Sequence, residues 1–369
     1  MSTCINRMYR GLFTAGIICC LLGMGNRVRG QDKSTNASWI RPADEKSPGI
    51  WGIRNGIVAG IWPAAIEPGK KGSDGGPRGL LRIGYEFMGM IYHINYIAIE
   101  PVVKGKMEFS EISPSEVDGK WGKFMWAGDT VRTGHFTPAA GTRGVLQELD
   151  DPTDETLSWY VFMEKFSNGA HPYLRLSIRR SRPEELVIEV FHHADSAPME
   201  RCGITATMGN YGRLRQLYLK DKVIDARELY AGYQDIDFIE KAPYAAEVLA
   251  RTRQGGFVAM ATAGETFAEL ASWPQEPAYL ARWNWRYRPF YMLTQYWRKD
   301  DAGRQASLQV RVNGRAKYWS GGSRNAADYI NIPGGPSFEN FELRESYAPG
   351  QKVYFGLSRR TPAQLLTDL

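Results

Sequence analysis

From Gly49 onward the chain never lets a helical repeat establish itself. Short apolar runs are cut again and again by Gly, Pro, Asn or Asp. The runs are rich in β-branched and aromatic residues, which suit a pleated, half-buried surface. Asn55-Gly56 interrupts the stretch from Ile50 to Trp62, and this dipeptide favours a two-residue hairpin turn. Phe87-Met88-Gly89-Met90 joins Leu80–Tyr85 to Ile91–Glu100, Gly255-Gly256 precedes Phe257–Thr262, and Asn313-Gly314 separates Leu308–Val312 from Arg315–Trp319. Further strands are expected over Gly144–Leu149, Leu157–Phe166, Tyr173–Arg179, Leu186–His193, Gly203–Met208, Arg213–Leu219, Ala246–Arg253, Tyr291–Arg298, Phe338–Glu345 and Lys352–Ser358. Only Asp225–Ala231 and Pro362–Leu366 read as short helical turns. Many strands with almost no helix bury their apolar faces by packing sheet on sheet. The expected fold is all-β: a large antiparallel multi-sheet sandwich over 49–369, as one body or two packed β halves. The triplet Gly-Gly-Pro at 75–77 and again at 334–336 fits two related halves.

The N-terminus is of another kind. Arg7 and Arg10 precede an uncharged stretch from Gly11 to Asn26, and Arg27 and Arg29 close it. A basic start, a short apolar run and small residues at the end describe a secretory signal, with cleavage expected after Gly30. The run is shorter than the roughly 20 apolar residues of a spanning helix, so no membrane span is expected after cleavage. Gln31 to Ser47 is polar and aperiodic, and 31–48 reads as a flexible linker. Removing Arg7, Arg10, Arg27 and Arg29 takes the net charge from +6 to +2. With no Lys/Arg block, nucleic acid is not an expected partner. Three of the four cysteines leave with the signal, and Cys202 remains as a lone thiol. The expected location is periplasmic or extracellular.

The segments GGPRGLLRIGYEFMG (Gly75 to Gly89), INYIAIEP (Ile94 to Pro101), ITATMGNYGRLRQLYLKD (Ile204 to Asp221) and PGGPSFENFELRE (Pro333 to Glu345) resemble a group of exported bacterial proteins without an assigned reaction. In architecture, a many-stranded antiparallel chain of this length is similar to the supersandwich of galactose mutarotases and of some polysaccharide lyase domains. The first resemblance implies export. The second implies a fold and leaves the chemistry to be argued from residues.

An exported chain with eleven tryptophans and nineteen tyrosines points toward carbohydrate. Sugars present flat C–H faces and many hydroxyls, which aromatic rings and fixed polar groups hold between them. Trp283 to Arg288 leads into the strand bearing Tyr296, Trp297 and Arg298. These three, with Arg78, are the expected substrate-binding groups. Glu339 and Glu342 fall in the apolar strand Phe338–Glu345, on opposite faces if alternation is strict. A buried acid is costly unless paired and tends to hold its proton, which is the setting for acid/base work. Either acid serves equally as half of a structural ion pair. Glu100 is a further candidate of the same kind. His171 follows the turn Asn168-Gly169-Ala170 and is the third expected catalytic group. His192 and His193 should face opposite ways, and no zinc spacing occurs. Asp150-Asp151 with Asp154-Glu155 makes an acidic loop whose oxygens suit Ca²⁺, or simply a solvated turn. No cofactor is expected otherwise. The leading expectation is an exported carbohydrate-active protein acting on a poly- or oligosaccharide by acid/base chemistry, of hydrolase, lyase or mutarotase type. The alternative is a non-catalytic carbohydrate-binding or cell-envelope sandwich.

Overall fold

The computed structural model describes residues 38–42, 49–61, 79–116, 119, 121–125, 145–148, 154–207, 213–240, 242–265, 285–286, 293–300, 307–318 and 329–369. The expected signal and all of the linker before Ser38 lie outside them, as does Arg78.

Twenty-four strands are described. The first seven are β1 (Trp39–Ile40), β2 (Gly49–Ile53), β3 (Ile57–Ile61), β4 (Leu81–Phe87), β5 (Met90–Val103), β6 (Lys106–Met107) and β7 (Phe124–Met125). Next come β8 (Val145–Glu148), β9 (Glu155–Met163), β10 (Pro172–Arg179), β11 (Arg182–His192) and β12 (Arg201–Thr207). They are followed by β13 (Gln216–Tyr218), β14 (Val223–Asp225), β15 (Ala242–Ala245), β16 (Ala250–Arg251), β17 (Phe257–Thr262) and β18 (Trp285–Arg286). The last six are β19 (Thr294–Lys299), β20 (Gln309–Arg315), β21 (Lys317–Tyr318), β22 (Ile330–Asn331), β23 (Ser337–Arg344) and β24 (Gln351–Ser358). The two short helices expected from sequence are α1 (Ala226–Leu229) and α2 (Pro362–Asp368). A capping box at Thr361 and Gln364 starts α2.

Twenty-two of the strands form two large sheets, and β21 and β22 pair as a small ribbon of their own. Sheet 1 runs β1-β2-β3-β4-β5-β12-β23-β20-β15, and sheet 2 runs β14-β13-β17-β19-β24-β11-β10-β9-β7. Every strand pairing is antiparallel except that of β18 with β5. The all-β sandwich expected from sequence is therefore the fold. One apolar cluster takes its residues from both sheets: Ile83, Ile97, Ile204 and Phe341 from sheet 1, Leu174, Ile188, Trp297 and Phe355 from sheet 2. Trp51 stacks on Trp159 across it, rings 5.4 Å apart. Trp297 donates its Nε1–H to the Phe341 carbonyl at 2.8 Å, so even the indole N–H of this core residue is satisfied.

The hairpin at Asn55-Gly56 forms, with Asn55 in the left-handed region, and the one at Met88-Gly89 has both turn residues there. Three expectations need correction. Trp39 and Ile40, read as linker, pair with Ile53 and Gly52, because the Trp39 side chain reaches the core and donates to Glu155 at 2.9 Å. Asn313-Gly314 is no turn: β20 runs straight through it. Gly314 is there because a Cβ would lie 2.5 Å from the Tyr230 ring. Third, alternation along β23 is broken. Asn340 pairs with Asn313 but Phe338 with Gly314, which leaves Glu339 as an extra residue in a β-bulge. Phe338 therefore joins Phe341 and Leu343 in the core, which strict alternation forbids.

Candidate functional site

On β10 and β11 of sheet 2 the core phase is aliphatic: Leu174, Leu176 and Ile178 on β10, Leu186, Ile188 and Val190 on β11. The alternate phase faces away from the core. There the register sets residues of neighbouring strands in rows. Phe162, Tyr173 and Phe191 are cross-strand partners on β9, β10 and β11. Their rings stack with centroids 5.6 Å (Phe162–Tyr173) and 5.4 Å (Tyr173–Phe191) apart. Tyr173 and Phe191 are half-buried, and Phe162 is buried. The next row holds Tyr160, Arg175, Glu189 and Lys352 on β9, β10, β11 and β24. Arg175 grips Glu189 with both ends of its fork, at 2.7 and 2.8 Å. The result is a strip of aromatic rings alongside a strip of paired charges.

His171 closes one end of the aromatic row. The turn expected before it forms, with Gly169 in the left-handed region and Asn168 accepting from Ala170 N–H. The buried ring lies 4.1 Å from that of His193, which in turn lies 4.9 Å from Tyr173. Its Nδ1 meets Asp195 at 2.6 Å. The bond to His171, with help from Lys165, holds the Asp195 carboxyl down at about 2. An ionised carboxylate on Nδ1 fixes which imidazole nitrogen carries the proton. His192 faces the other way, as expected, and meets the Tyr347 hydroxyl at 2.8 Å.

At the β24 end, Gly350 abuts the Phe191 ring and the surface dips into a cleft of about 350 Å³. Asp300, Gln351, Lys352 and Tyr354 line it, with Lys299 at its floor. Burial first, then Asp300, pushes the Tyr354 phenol up to about 12. Arg298, one of the expected binding residues, is buried behind this lining and stacks 3.7 Å over the Tyr354 ring. Its guanidinium is occupied, donating to Glu185 at 2.9 and 2.6 Å and pairing with Asp300. Burial opposes that charge, but Glu185 outweighs it and holds Arg298 above its ordinary value. Tyr296 shares the face, donates to Glu185 at 3.1 Å and is sealed under α2 beside Leu365. Trp297 faces the core and is fully buried. All three are buried.

The expected acids lie on the other sheet. Glu342 is fully buried, opposite Arg311 in register and 3.3 Å from it, which is the cross-strand pair foreseen as its structural role. Glu339 sits in the bulge, also buried. Sheet 1 thus carries both glutamates and sheet 2 carries His171. Glu100 accepts from Thr205 at 2.6 Å. Sequence reading missed Glu111, which stands in an irregular segment after β6. Thr207 donates to it at 2.8 Å, and burial outweighs Thr207 and Arg82 in pushing it up to about 7. Burial likewise lowers Arg82 to about 10.

Of the acidic loop, Asp150 and Asp151 lie outside the described residues. Asp154 accepts from the Ser181 backbone and hydroxyl at 2.9 and 2.7 Å, and Glu155 pairs with Arg180. Among the described residues no group of three or more His, Cys, Asp or Glu is placed to hold a metal ion. No described helix is long and apolar enough to cross a membrane.

No protein-family model matches the chain, and no curated protein matches it. Among solved structures, one titled "Crystal Structure Analysis of HI1317" is similar over 76% of this chain and 93% of its own, at 10% identity and a TM-score of 0.28.

Proposed function

We propose that the chain is an exported protein that holds a poly- or oligosaccharide across the outer face of sheet 2. The supporting observation is the row Phe162–Tyr173–Phe191. Large rings lie at the phase of three strands where a sandwich usually shows polar residues to water. The half-buried rings of Tyr173 and Phe191, centroids 5.4 Å apart, offer adjacent platforms for the C–H faces of successive sugars, backed by the buried ring of Phe162. Beside them, Arg175, Glu189 and Lys352 offer donors and acceptors for hydroxyls. The His171–Asp195 pair ends the row on one side and the cleft at Tyr354 ends it on the other. The signal-like N-terminus supports a periplasmic or extracellular setting, where such a ligand is met.

The test is affinity electrophoresis and calorimetry against soluble polysaccharides. Tyr173→Ala should weaken binding about tenfold, since one aromatic contact carries roughly 1.4 kcal/mol. Its near-UV circular dichroism should otherwise match the parent. Unchanged affinity in a folded Tyr173→Ala variant would end the proposal.

A second reading, acid/base turnover of a glycan, is favoured by Glu111. It is half-buried, held by Thr207, and titrates near 7, where a group can both give and take a proton. Glu111→Gln should then abolish product release by a folded protein, and no product from the parent with any glycan would remove this reading.

A further inference from the structure

The aromatic row stops at a glycine. Beside Phe191, on the side of β24, stands Gly350, whose N–H donates to the Val190 carbonyl at 2.8 Å. Its φ is +74°, a conformation that side chains rarely adopt, and a Cβ there would lie 3.4 Å from the Phe191 ring. The row therefore gives way at this place to the cleft, which Gly350 also lines. The cleft is polar where the row is flat and apolar. Arg298, itself held by Glu185 at 2.9 and 2.6 Å, pairs with Asp300 from behind. The half-buried Tyr354 donates its hydroxyl to the same carboxylate. Both partners fix Asp300 in place, yet its side chain stays 45% exposed, and that of Lys352 stays 48% exposed.

Granted the sugar-binding reading above, we infer that this cleft is a polar subsite for the sugar unit next to the one on Phe191, with Asp300 accepting from its hydroxyls. A volume of about 350 Å³ suits a single sugar ring. Neighbouring carbons of a pyranose each carry a hydroxyl, and one carboxylate can accept from both. Of the roughly four lone-pair sites of an ionised carboxylate, Arg298 and Tyr354 occupy two, so acceptors remain. Lys352, 3.9 Å from Glu189, brings ammonium donors for a hydroxyl oxygen. Hydrogen bonds to a charged group are the strong ones, and a group already held in position loses little freedom when it forms them. The bound chain is thus gripped in two ways, by stacking along the row and by its hydroxyls in the cleft.

The experiment takes a polysaccharide that the parent binds and measures a graded series of its oligosaccharides by calorimetry. The expected result for Asp300→Ala is an affinity about tenfold lower for the longest oligosaccharide, with a rise in affinity that stops one unit earlier than in the parent. A set of oligosaccharides each lacking one hydroxyl of a terminal unit should include one whose loss of affinity disappears in Asp300→Ala, since hydroxyl and carboxylate then make one contact. Additive losses throughout would overturn the inference, because Asp300 would then act only through Arg298 and Tyr354. So would parent-like affinities and length dependence in folded Asp300→Ala; if Tyr173→Ala still weakens binding, the sugar-binding face stands. No binding of any polysaccharide by the parent would overturn both. Should Asp300→Ala fail to fold, Lys352→Ala takes its place, with the same loss expected and the same results overturning the inference.

Discussion

The two outer faces of this sandwich differ in what they expose. On sheet 1 the alternate phase holds Arg82, Tyr96, Thr205, Thr207, Glu100 and Glu342, all buried; Thr205 donates to Glu100, Thr207 to Glu111, and Glu342 pairs with Arg311. On sheet 2 it holds Tyr160, Tyr173 and Phe191, half-buried, with the charged row beside them. Polar groups are covered on one side, and rings are left partly in water on the other. A buried charge is tolerated only when paired, so sheet 1 reads first as a structural network. A half-exposed ring row adds little to the core, so sheet 2 reads first as a surface that meets something.

The sharpest way to break this contrast is Glu342→Ala. If sheet 1 is held by its charges, removing this one leaves Arg311 without its partner and costs about 3–5 kcal/mol. Urea unfolding should show it, with saccharide binding by the folded fraction unchanged. A loss under 1 kcal/mol would mean the network is incidental.

A smaller effect is expected from pH. Glu111 is raised from 4.5 to about 7, so the fold favours its protonated form. Its contribution is fully present below pH 4.5 and is lost as pH rises through 7. The melting temperature of the parent should therefore fall across that window relative to Glu111→Gln, which stays neutral throughout. Parallel curves would place Glu111 in ordinary solvent.

The smallest effect belongs to Cys202, on the core side of β12. Burial pushes its thiol far up, and the side chain is fully buried. Thiol reagents should leave the native protein unlabelled and label it after unfolding. Cys202→Ala should cost about 1 kcal/mol and leave binding alone. Fast labelling of the native state would show that β12 opens readily.

What the sequence disclosed follows from where the information lies. Turns are local, so Asn55-Gly56 and Met88-Gly89 could be read directly. The Asn313-Gly314 dipeptide carries the same letters but answers to Tyr230, more than eighty residues away, and no local rule sees that. The bulge at Glu339 likewise appears only once β20 is laid beside β23. Trp283 to Arg288 drew attention because its aromatics are adjacent in sequence. Trp285 packs over Gly84, Arg286 pairs with Tyr92 in β5, and the rest of the segment lies outside the described residues. The row on sheet 2 contributes one ring per strand and becomes a row only in register. The available signal was Tyr160, Phe162, Tyr173 and Phe191 falling out of phase with the core positions of their own strands. The turn before His171 could be read because it is local. The partner of His171, Asp195, lies twenty-four residues on and could not.

The order of strands within each sheet bears on how the chain reaches this state. β23 lies between β12 and β20, and β24 lies between β19 and β11. Both sheets are therefore spliced together by two long strands that follow nearly all the others in chain order. Until they arrive, β12 and β11 each end in an open edge, and the core residues Phe341, Leu343, Val353 and Phe355 are missing. Pairings this distant in sequence must first overcome loop-closure entropy, so folding should be slow and close to all-or-none. A chain halted before Ser337 would be an aggregation-prone pair of half-sheets rather than a smaller working protein.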